Sequence, residues 1–372
     1  MRQIDYRTFT HNLDKIAKAR HIPIRAMFEL TYRCNFNCVH CYIPPRQRTE
    51  NNELDTKQVF GILDELCDLG CWTLGFTGGE IFLRQDMLEI LLYVKKKGFN
   101  IVILTNGSLI DKKIADKLKQ VSLNKVDITL HSMKQDTFEK ITRCPGSHKK
   151  VMIAIELLRQ RGIPLGIKNC AMRENKGDLE GVAKFADEVG AVARIGAGIV
   201  PRLDGDKAPC GHSTEKICNF QKKPETSVTM CGGSANTFGG RAQKPEKKTA
   251  IERQCRRRVF KCGAGIKSLT INPQGKLKLC LEIDYPKIDI LKTGLKKAWQ
   301  SLNKIAEDAE KDANFKCNSC DLLEFCSWCP ARGWLEDGRL TTCDKMSRQQ
   351  ALRRKARCGI LGDLQNHAHH TI

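Results

Sequence analysis

Three cysteines stand close together in Arg33-Cys34-Asn35-Phe36-Asn37-Cys38-Val39-His40-Cys41-Tyr42. Thiolates on a C-x3-C-x2-C spacing can hold three irons of a cubane and leave the fourth iron without a protein ligand. An open iron is a place to bind and reduce a small molecule. Zinc would need a fourth donor, and His40 beside Cys41 could complete a small structural zinc loop. The spacing alone leaves both chemistries open.

A second cysteine array begins at Cys255. Cys262 precedes, and Cys280 ends, a segment 268–279 whose alternation and Asn272-Pro273-Gln274-Gly275 turn predict a β-hairpin. Cys317-x2-Cys320-x5-Cys326-x2-Cys329 and then Cys343 follow. Repeated C-x2-C pairs signal metal without separating zinc from iron–sulfur. The chain has 19 cysteines in 372 residues. It shows neither a signal-peptide pattern nor an apolar run of about 18 residues, so a cytoplasmic, membrane-free protein is expected. In that compartment thiols are poor candidates for disulfides, and short spacings point to metal. Cys210, Cys218, Cys231 and Cys358 fit no ligand spacing and are expected to be plain thiols.

The formal net charge of +21 favours an acidic partner. Aromatic residues rarely interleave the basic runs, which argues against stacking on nucleic-acid bases. A zinc protein gripping nucleic acid would explain the charge and the C-x2-C pairs, but not where the other unusual residues fall.

Those residues are positioned by a regular alternation. Strand-like runs at 25–31, 72–77, 99–104, 125–130, 163–170 and 192–200 alternate with amphipathic stretches at 56–69, 86–97, 111–119, 150–161 and 177–189. Gly70, Gly98, Gly162 and Gly190 mark helix ends. Repeated β-then-α units predict parallel strands in an α/β fold, a partial (β/α)6 TIM-type barrel; a doubly wound open sheet would show the same alternation. The three-cysteine loop, Gly78-Gly79-Glu80, Thr105-Asn106-Gly107, Thr129, Lys168-Asn169-Cys170 and Pro201-Arg202 all fall at carboxyl ends of strands. Barrels place active sites on that face. Taken alone, Gly-Gly-Glu is an ordinary strand-to-helix turn, and Thr129 and His131 are ordinary structural residues. Gly78 and Gly79 could also let a backbone approach a small ligand, and Glu80 could receive an amine.

Cys34-x3-Cys38-x2-Cys41 followed by Gly78-Gly79-Glu80 on the next strand end resembles the radical S-adenosylmethionine (SAM) enzymes. The resemblance covers roughly residues 25–200. It implies a [4Fe–4S] cluster on Cys34, Cys38 and Cys41 whose open iron chelates SAM, so that His40 is not a ligand. It implies further that Gly78, Gly79 and Glu80 contact the methionine amine, that Tyr42 lies near the adenine, and that Asn106 and Thr129 complete the cofactor site. Reductive cleavage to a 5′-deoxyadenosyl radical is the chemistry the cofactor would bring.

The later cysteines resemble the SPASM extension of the same enzymes, with a final quartet spacing of two residues where the family has three. The resemblance implies two auxiliary [4Fe–4S] clusters, three in all. One would rest on Cys262, Cys280, Cys329 and an upstream Cys255, or keep an open iron without Cys255. The other would rest on Cys317, Cys320, Cys326 and Cys343. Expected divisions are a helical arm at 1–24, the barrel at 25–205, and a linker or substrate cover at 206–254. A small cysteine-rich SPASM domain with the hairpin follows at 255–345, and a basic tail at 346–372.

The resemblance implies oxidative modification of a ribosomally made peptide or protein by a cross-link such as a thioether or carbon–carbon bond. Expected partners are an acidic leader, an electron donor such as flavodoxin or ferredoxin, and a separate leader-binding protein, since the N-terminus is short. Anaerobic sulfatase maturases are a competing relative, but the catalytic Asp that they carry after the hairpin cysteine is Leu281 here, with Glu282 next. Tetrapyrrole side-chain oxidation is another. Glu282 and Asp284 are the candidate bases, with exposed loop carboxylates as the plainer reading.

Overall fold

The computed structural model describes residues 6–50, 52–196, 198–213, 229–231 and 259–367. Cys255, Cys218 and most of the expected linker lie outside the described residues. Among the described residues one sheet of ten strands runs in the order β10-β9-β8-β1-β2-β3-β4-β5-β6-β7. Strands β1 (Arg25–Thr31), β2 (Thr73–Gly78), β3 (Asn100–Thr105), β4 (Lys125–Thr129), β5 (Leu165–Cys170) and β6 (Val192–Gly196) pair side by side in parallel. Helices α2 (Thr56–Asp68), α3 (Met87–Lys96), α4 (Lys112–Val121), α6 (Ser147–Gln160) and α7 (Leu179–Glu188) form the crossovers. The six expected parallel strands and the five helical stretches between them are present in order.

The alternation works because each strand has two different faces. Phe28, Leu30, Phe76, Ile101, Ile103, Val126, Ile128, Ile167 and Ile195 are buried with the helices in one core. The residues between them, such as Glu29, Asp127 and Lys168, face the other side, the barrel interior. Helix starts follow their caps: Asp55 and Gln58 form a reciprocal box on α2, and Asp111 accepts from Ile114 N on α4. The four glycines expected at helix ends all take positive φ, between 62° and 82°.

Two features were not visible in the sequence. A short helix, α5 (Gln135–Thr142), follows β4. Its eight residues are too few for a clear periodic signal, and Phe138, Ile141 and Thr142 are its buried side chains. The hairpin of β8 (Ser268–Ile271) and β9 (Lys276–Lys278) also does not stand apart. β8 pairs in parallel with β1, Arg25 opposite Ser268 and Phe28 opposite Ile271, so the hairpin continues the barrel sheet. Its turn is held by Asn272, whose Oδ1 accepts from Gln274 N and Lys276 N. β10 (Ile288–Asp289) then closes that edge, and β7 (Thr229–Cys231) lies beside β6 at the other.

At the termini, α1 (Tyr6–Arg20) falls within the expected helical arm; it buries Ala17, while Ile16 is exposed. Asp14 ties α1 to the sheet through Arg25 and Lys267. The expected basic tail is a helix, Lys345–His367, begun by Asp344 accepting from Ser347 N. Arg354 donates to Phe325 O and Lys355 pairs with Asp321, which seat that helix on the cysteine quartet. No helix among the described residues is long and apolar enough to cross a membrane.

Two glycine substitutions separate propensity from packing. A Cβ at Gly61 in α2 would meet nothing within 4 Å. Gly61→Ala is therefore expected to raise unfolding stability by about 0.5–1 kcal/mol. At Gly79 a Cβ would fall 2.1 Å from Arg33 O. Gly79→Ala is expected to cost about 1–3 kcal/mol, and urea titration of both variants measures the two effects.

Candidate active site

The cysteine loop leaves the end of β1 and is fastened on every side. Arg33 donates Nε and Nη2 to the two oxygens of Glu53 at 2.9 and 3.0 Å. Asn37 N and Val39 N donate to Thr142 O and Ile141 O, the last carbonyls of α5. Arg48 Nη1 reaches Asn37 Oδ1 at 2.8 Å, and Leu203 N donates to Tyr42 O at 2.9 Å. The helix missed from sequence is thus the brace of the loop.

Cys34, Cys38 and Cys41 lie near enough for each thiol to feel another. Burial pushes all three thiols up, Cys34 to about 11. Positive groups oppose this: Arg48 acts on Cys38 and Cys41, and Arg202 on Cys41. Phe36 N points at Cys34 Sγ at 3.4 Å, with Asn106 Nδ2 at 3.9 Å. Donors and cations around clustered, buried sulfurs suit thiolates held by an iron cluster better than free thiols. His40 turns its ring edge-on to His131, with centroids 4.6 Å apart.

Gly78 and Gly79 are required by the chain itself. A Cβ at Gly78, where φ is 137°, would fall 2.0 Å from Thr31 O. Gly79 N and Glu80 N donate to Thr31 O and Arg33 O, both at 2.8 Å, so this turn docks directly on the root of the cysteine loop. Glu80 is fully buried, and its two oxygens accept from Thr105 Oγ1, Asn106 N and Phe82 N. Burial raises its carboxyl pKa against those hydrogen bonds. Its visible work is to hold Asn106, whose Nδ2 donates to Asn35 Oδ1 at 2.9 Å. Thr129 ends β4, two residues beyond Asp127 and on the same face.

Beneath Tyr42 lies a charge pair that sequence reasoning missed. Glu29 on β1 and Lys278 on β9 are both wholly buried and 2.8 Å apart. Tyr42 Oη donates to Glu29 Oε1 at 2.7 Å and Tyr32 Oη to Oε2 at 3.1 Å. Burial, then the negative Glu29, raises both phenols. The signal was a Lys and a Glu on inward-facing positions of strands, visible only once β8 and β9 are known to adjoin β1.

The C-terminal thiols separate into two sets. Cys262, Cys280 and Cys329 line one cavity of about 730 Å³ including its open mouth, with Phe260, Leu279 and Pro330. Cys317, Cys320, Cys326 and Cys343 line another of about 450 Å³, with Trp328 and Arg348. These are the groupings implied by the SPASM resemblance, with Cys255 beyond what is described. Burial raises Cys329 to about 12 and Cys317 to about 11. Cysteine is the residue type that holds iron–sulfur clusters, so both linings have suitable chemistry, although among the described residues no three of these side chains stand as a formed metal-ion site. Glu282 acts electrostatically on Cys280, Cys329 and Cys262, and also on Cys170 at the end of β5. Its own carboxyl is raised by burial and lowered by Arg332. Asp284 is turned elsewhere, paired with Lys287 at 2.7 Å.

A parallel partial barrel with a three-cysteine loop after its first strand defines a cofactor-dependent enzyme whose chemistry lies at the strand ends. Residues 28–186 match the model of the radical SAM superfamily. It is 24% identical over 328 residues to an AdoMet-dependent heme synthase of Methanosarcina barkeri, covering 85% of this chain and 93% of that one. It is 29% identical over 260 residues to the antilisterial bacteriocin subtilosin biosynthesis protein AlbA of Bacillus subtilis, covering 70% of this chain and 55% of that one. In structure it resembles SuiB of Streptococcus suis bound to S-adenosylmethionine, with a TM-score of 0.66 and 16% identity over 93% of this chain and 83% of the other. That last likeness is one of fold.

Two expectations follow. Lys278→Met leaves a buried carboxylate without its cation and is expected to cost about 3–5 kcal/mol, most of it recovered in the double variant with Glu29→Gln. A urea-unfolding cycle measures the coupling. Burial, then the nearby His212, lowers the His40 pKa to about 4, and burial lowers His131 as well. The unfolded chain then binds more protons than the native one below the ordinary value of about 6.5. Stability is therefore full above that value and falls as pH drops from about 6.5 to 4. The fall should be shallower in His131→Phe, read as Tm against pH.

Proposed function

We propose that this enzyme uses SAM and three [4Fe–4S] clusters to modify oxidatively a ribosomally made peptide, forming a cross-link such as a thioether or carbon–carbon bond. The observation that carries this reading is the two sulfur-lined cavities joined to the SAM-type loop through one continuous sheet. The relatives that act on peptides, AlbA by its name and SuiB in a structure bound to precursor peptide SuiA, support the substrate class. Cys34, Cys38 and Cys41 would hold the cluster that binds SAM, with Gly78, Gly79, Glu80, Asn106, Tyr42 and Thr129 around the cofactor. Cys262, Cys280 and Cys329, with Cys255, and then Cys317, Cys320, Cys326 and Cys343 would hold the other two.

When bound, a reduced cluster and SAM supply a 5′-deoxyadenosyl radical that removes hydrogen from substrate. This chain's own residues do the rest. The Glu53 and α5 contacts fix the loop, and Glu80 fixes the strand ends that cover the cofactor. Glu282, half-buried and within electrostatic reach of Cys280, Cys329 and Cys170, would accept the proton that an oxidised substrate must lose. The electron donor would be a flavodoxin or ferredoxin, and the abundance of thiols suits a cytoplasmic setting.

A second reading has one observation in its favour. The heme synthase of M. barkeri matches over nearly its whole length, whereas AlbA matches over little more than half of its own. Tetrapyrrole side-chain oxidation would use the same clusters.

Protein purified anaerobically should be brown and carry about 12 irons, falling to about 8 when Cys34, Cys38 and Cys41 are together changed to Ala. That triple variant should form no 5′-deoxyadenosine. Colourless protein with stoichiometric zinc, or cleavage of SAM by the triple variant, would overturn the proposal. Mass spectrometry of a co-expressed precursor peptide should show the loss of two hydrogens; the same loss of mass on a porphyrin would select the second reading.

A further inference from the structure

One ion pair at the carboxyl ends of the strands is used by none of the cofactor assignments. Glu174 lies in the turn after β5, and His212 ends a short helical turn, Ala208–His212, after β6. His212 Nδ1 stands 2.7 Å from Glu174 Oε1, with 26% of the His212 side chain exposed and 17% of the Glu174 side chain. Burial pushes the Glu174 carboxyl up, but the bond to His212, its own backbone N–H and the charges of His212 and Arg173 hold it below its ordinary value. An ionised carboxylate only accepts, so Nδ1 carries the hydrogen and Nε2 of the neutral ring keeps its lone pair. Nε2 has no hydrogen-bond partner among the described residues.

Both groups are mounted on rigid parts of the barrel mouth. Asn175, buried next to Glu174, accepts from Met172 N and donates to His131 O and Cys170 O, which fixes the turn on the ends of β4 and β5. Arg173 N donates to His212 O at 3.0 Å and Met172 bridges to Ser213, so the backbone alone joins the two segments. Met172 packs with Val39, Ile141 and Ile199 in an apolar cluster separate from the main core. Val39 lies between Cys38 and His40, and His40 feels the charges of both His212 and Glu174. The dyad therefore stands at a rim made by the loops after β1, β5 and β6, beside the loop that would hold the SAM cluster.

A clamp between the segments would not need this pair, since the backbone bonds already make one. The pair also leaves Glu174 Oε2 buried without a hydrogen-bond partner among the described residues, a cost that a purely structural contact would avoid. A carboxylate on one ring nitrogen and a lone pair on the other is the arrangement of an oriented general base. The strength of that base selects the acid it can serve. Neutral imidazole, with an ordinary pKa of about 6.5, readily takes the proton of a thiol at about 8.5. It is far too weak for a backbone amide or a C–H bond.

We propose that His212, oriented by Glu174, is the general base that activates a cysteine thiol of the substrate peptide, so that the cross-link is a thioether. This rests on the proposed function and names its attacking atom. A peptide C–H and its neighbouring N–H become a C=N bond by loss of a hydrogen atom to the 5′-deoxyadenosyl radical, an electron to an auxiliary cluster and a proton to Glu282. The S–H bond then breaks with its proton going to His212 Nε2, and sulfur forms the C–S bond. The nitrogen recovers its proton from Glu282. The peptide is left one hydrogen atom, one electron and one proton poorer, which is the loss of two hydrogens.

The test uses the anaerobically reconstituted holoenzyme with SAM and dithionite. The probes are a pool of synthetic peptides with one cysteine each and the matching pool with serine in its place. Mass spectrometry after iodoacetamide counts thioethers as peptides that have lost two hydrogens and resist alkylation. Wild type should form them on the cysteine pool alone. His212→Gln should slow them about 100-fold or more, with 5′-deoxyadenosine formation, iron content and SAM dissociation constant within about twofold. Added imidazole should restore part of the rate in His212→Gly and leave the wild type unchanged. Glu174→Gln should slow thioether formation by about tenfold and release more 5′-deoxyadenosine per thioether, which mere loss of folded enzyme would not do. The proposal is overturned if no thioether forms on the cysteine pool, if the serine pool loses two hydrogens equally, or if His212→Gln keeps the wild-type rate. It is overturned too if thioethers, 5′-deoxyadenosine and iron fall together. Wild type that forms no 5′-deoxyadenosine fails the proposed function itself, and with it this assignment, so the two failures register separately.

Discussion

The buried pair of Glu29 and Lys278 is the constraint on which the two halves of the molecule depend. A carboxylate and an ammonium removed from water keep their charges only when they are paired and further hydrogen-bonded. Here Tyr32 and Tyr42 provide the further bonds. Tyr42 directly follows Cys41, and Lys278 precedes Cys280 by two residues. One anion therefore fixes the cysteine loop at the barrel mouth relative to β9, the strand that leads to Cys280. Hydrophobic contact between β1 and β8 could slide or tilt; a buried ion pair has one geometry that satisfies it.

That constraint gives the functional architecture its economy. The loop after β1 is held by Glu53 and α5, and the Gly-Gly-Glu turn is held by the root of the loop. Glu80 hands the restraint on to Asn106, which returns to the loop at Asn35. The elements that would surround the cofactor are thus fixed by one another before any ligand arrives, as a preorganised site requires. The cysteine-rich region is drawn in through β8, β9 and the helix 345–367, so its two sulfur-lined cavities belong to the same body as the barrel.

Glycine and charge are used here in ways that a motif alone does not distinguish. Gly78 and Gly79 look in sequence like room for a ligand, yet their missing side chains admit the carbonyls of Thr31, Tyr32 and Arg33. At Gly196, by contrast, a Cβ would meet only Asn169 O, at 3.7 Å. Identical residues are thus demanded by close backbone packing at one strand end and not at another. Likewise Glu282 and Asp284, indistinguishable as loop carboxylates, diverge once folded: Glu282 among the cysteines and Asp284 onto Lys287.

The sequence by itself determined the class of fold, because apolar residues on strand and helix periods report which face is buried. Local spacing also marked the cysteines as candidate metal ligands, whereas their division into two sets was only what the SPASM resemblance implied. Strand ends at Thr31, Gly78, Thr105 and Thr129 were legible within a residue or two for the same reason. What only the tertiary structure decided were contacts between residues far apart in the chain. The pairing of β8 with β1, the brace from α5, the Glu29–Lys278 pair and the convergence of Lys125, Lys168 and Arg194 on Asp127 all join different elements. A single chain read in order shows that each of these side chains is polar and inward on its own strand. Which charge meets which is set by sheet order and register, and those are settled only when the strands pack.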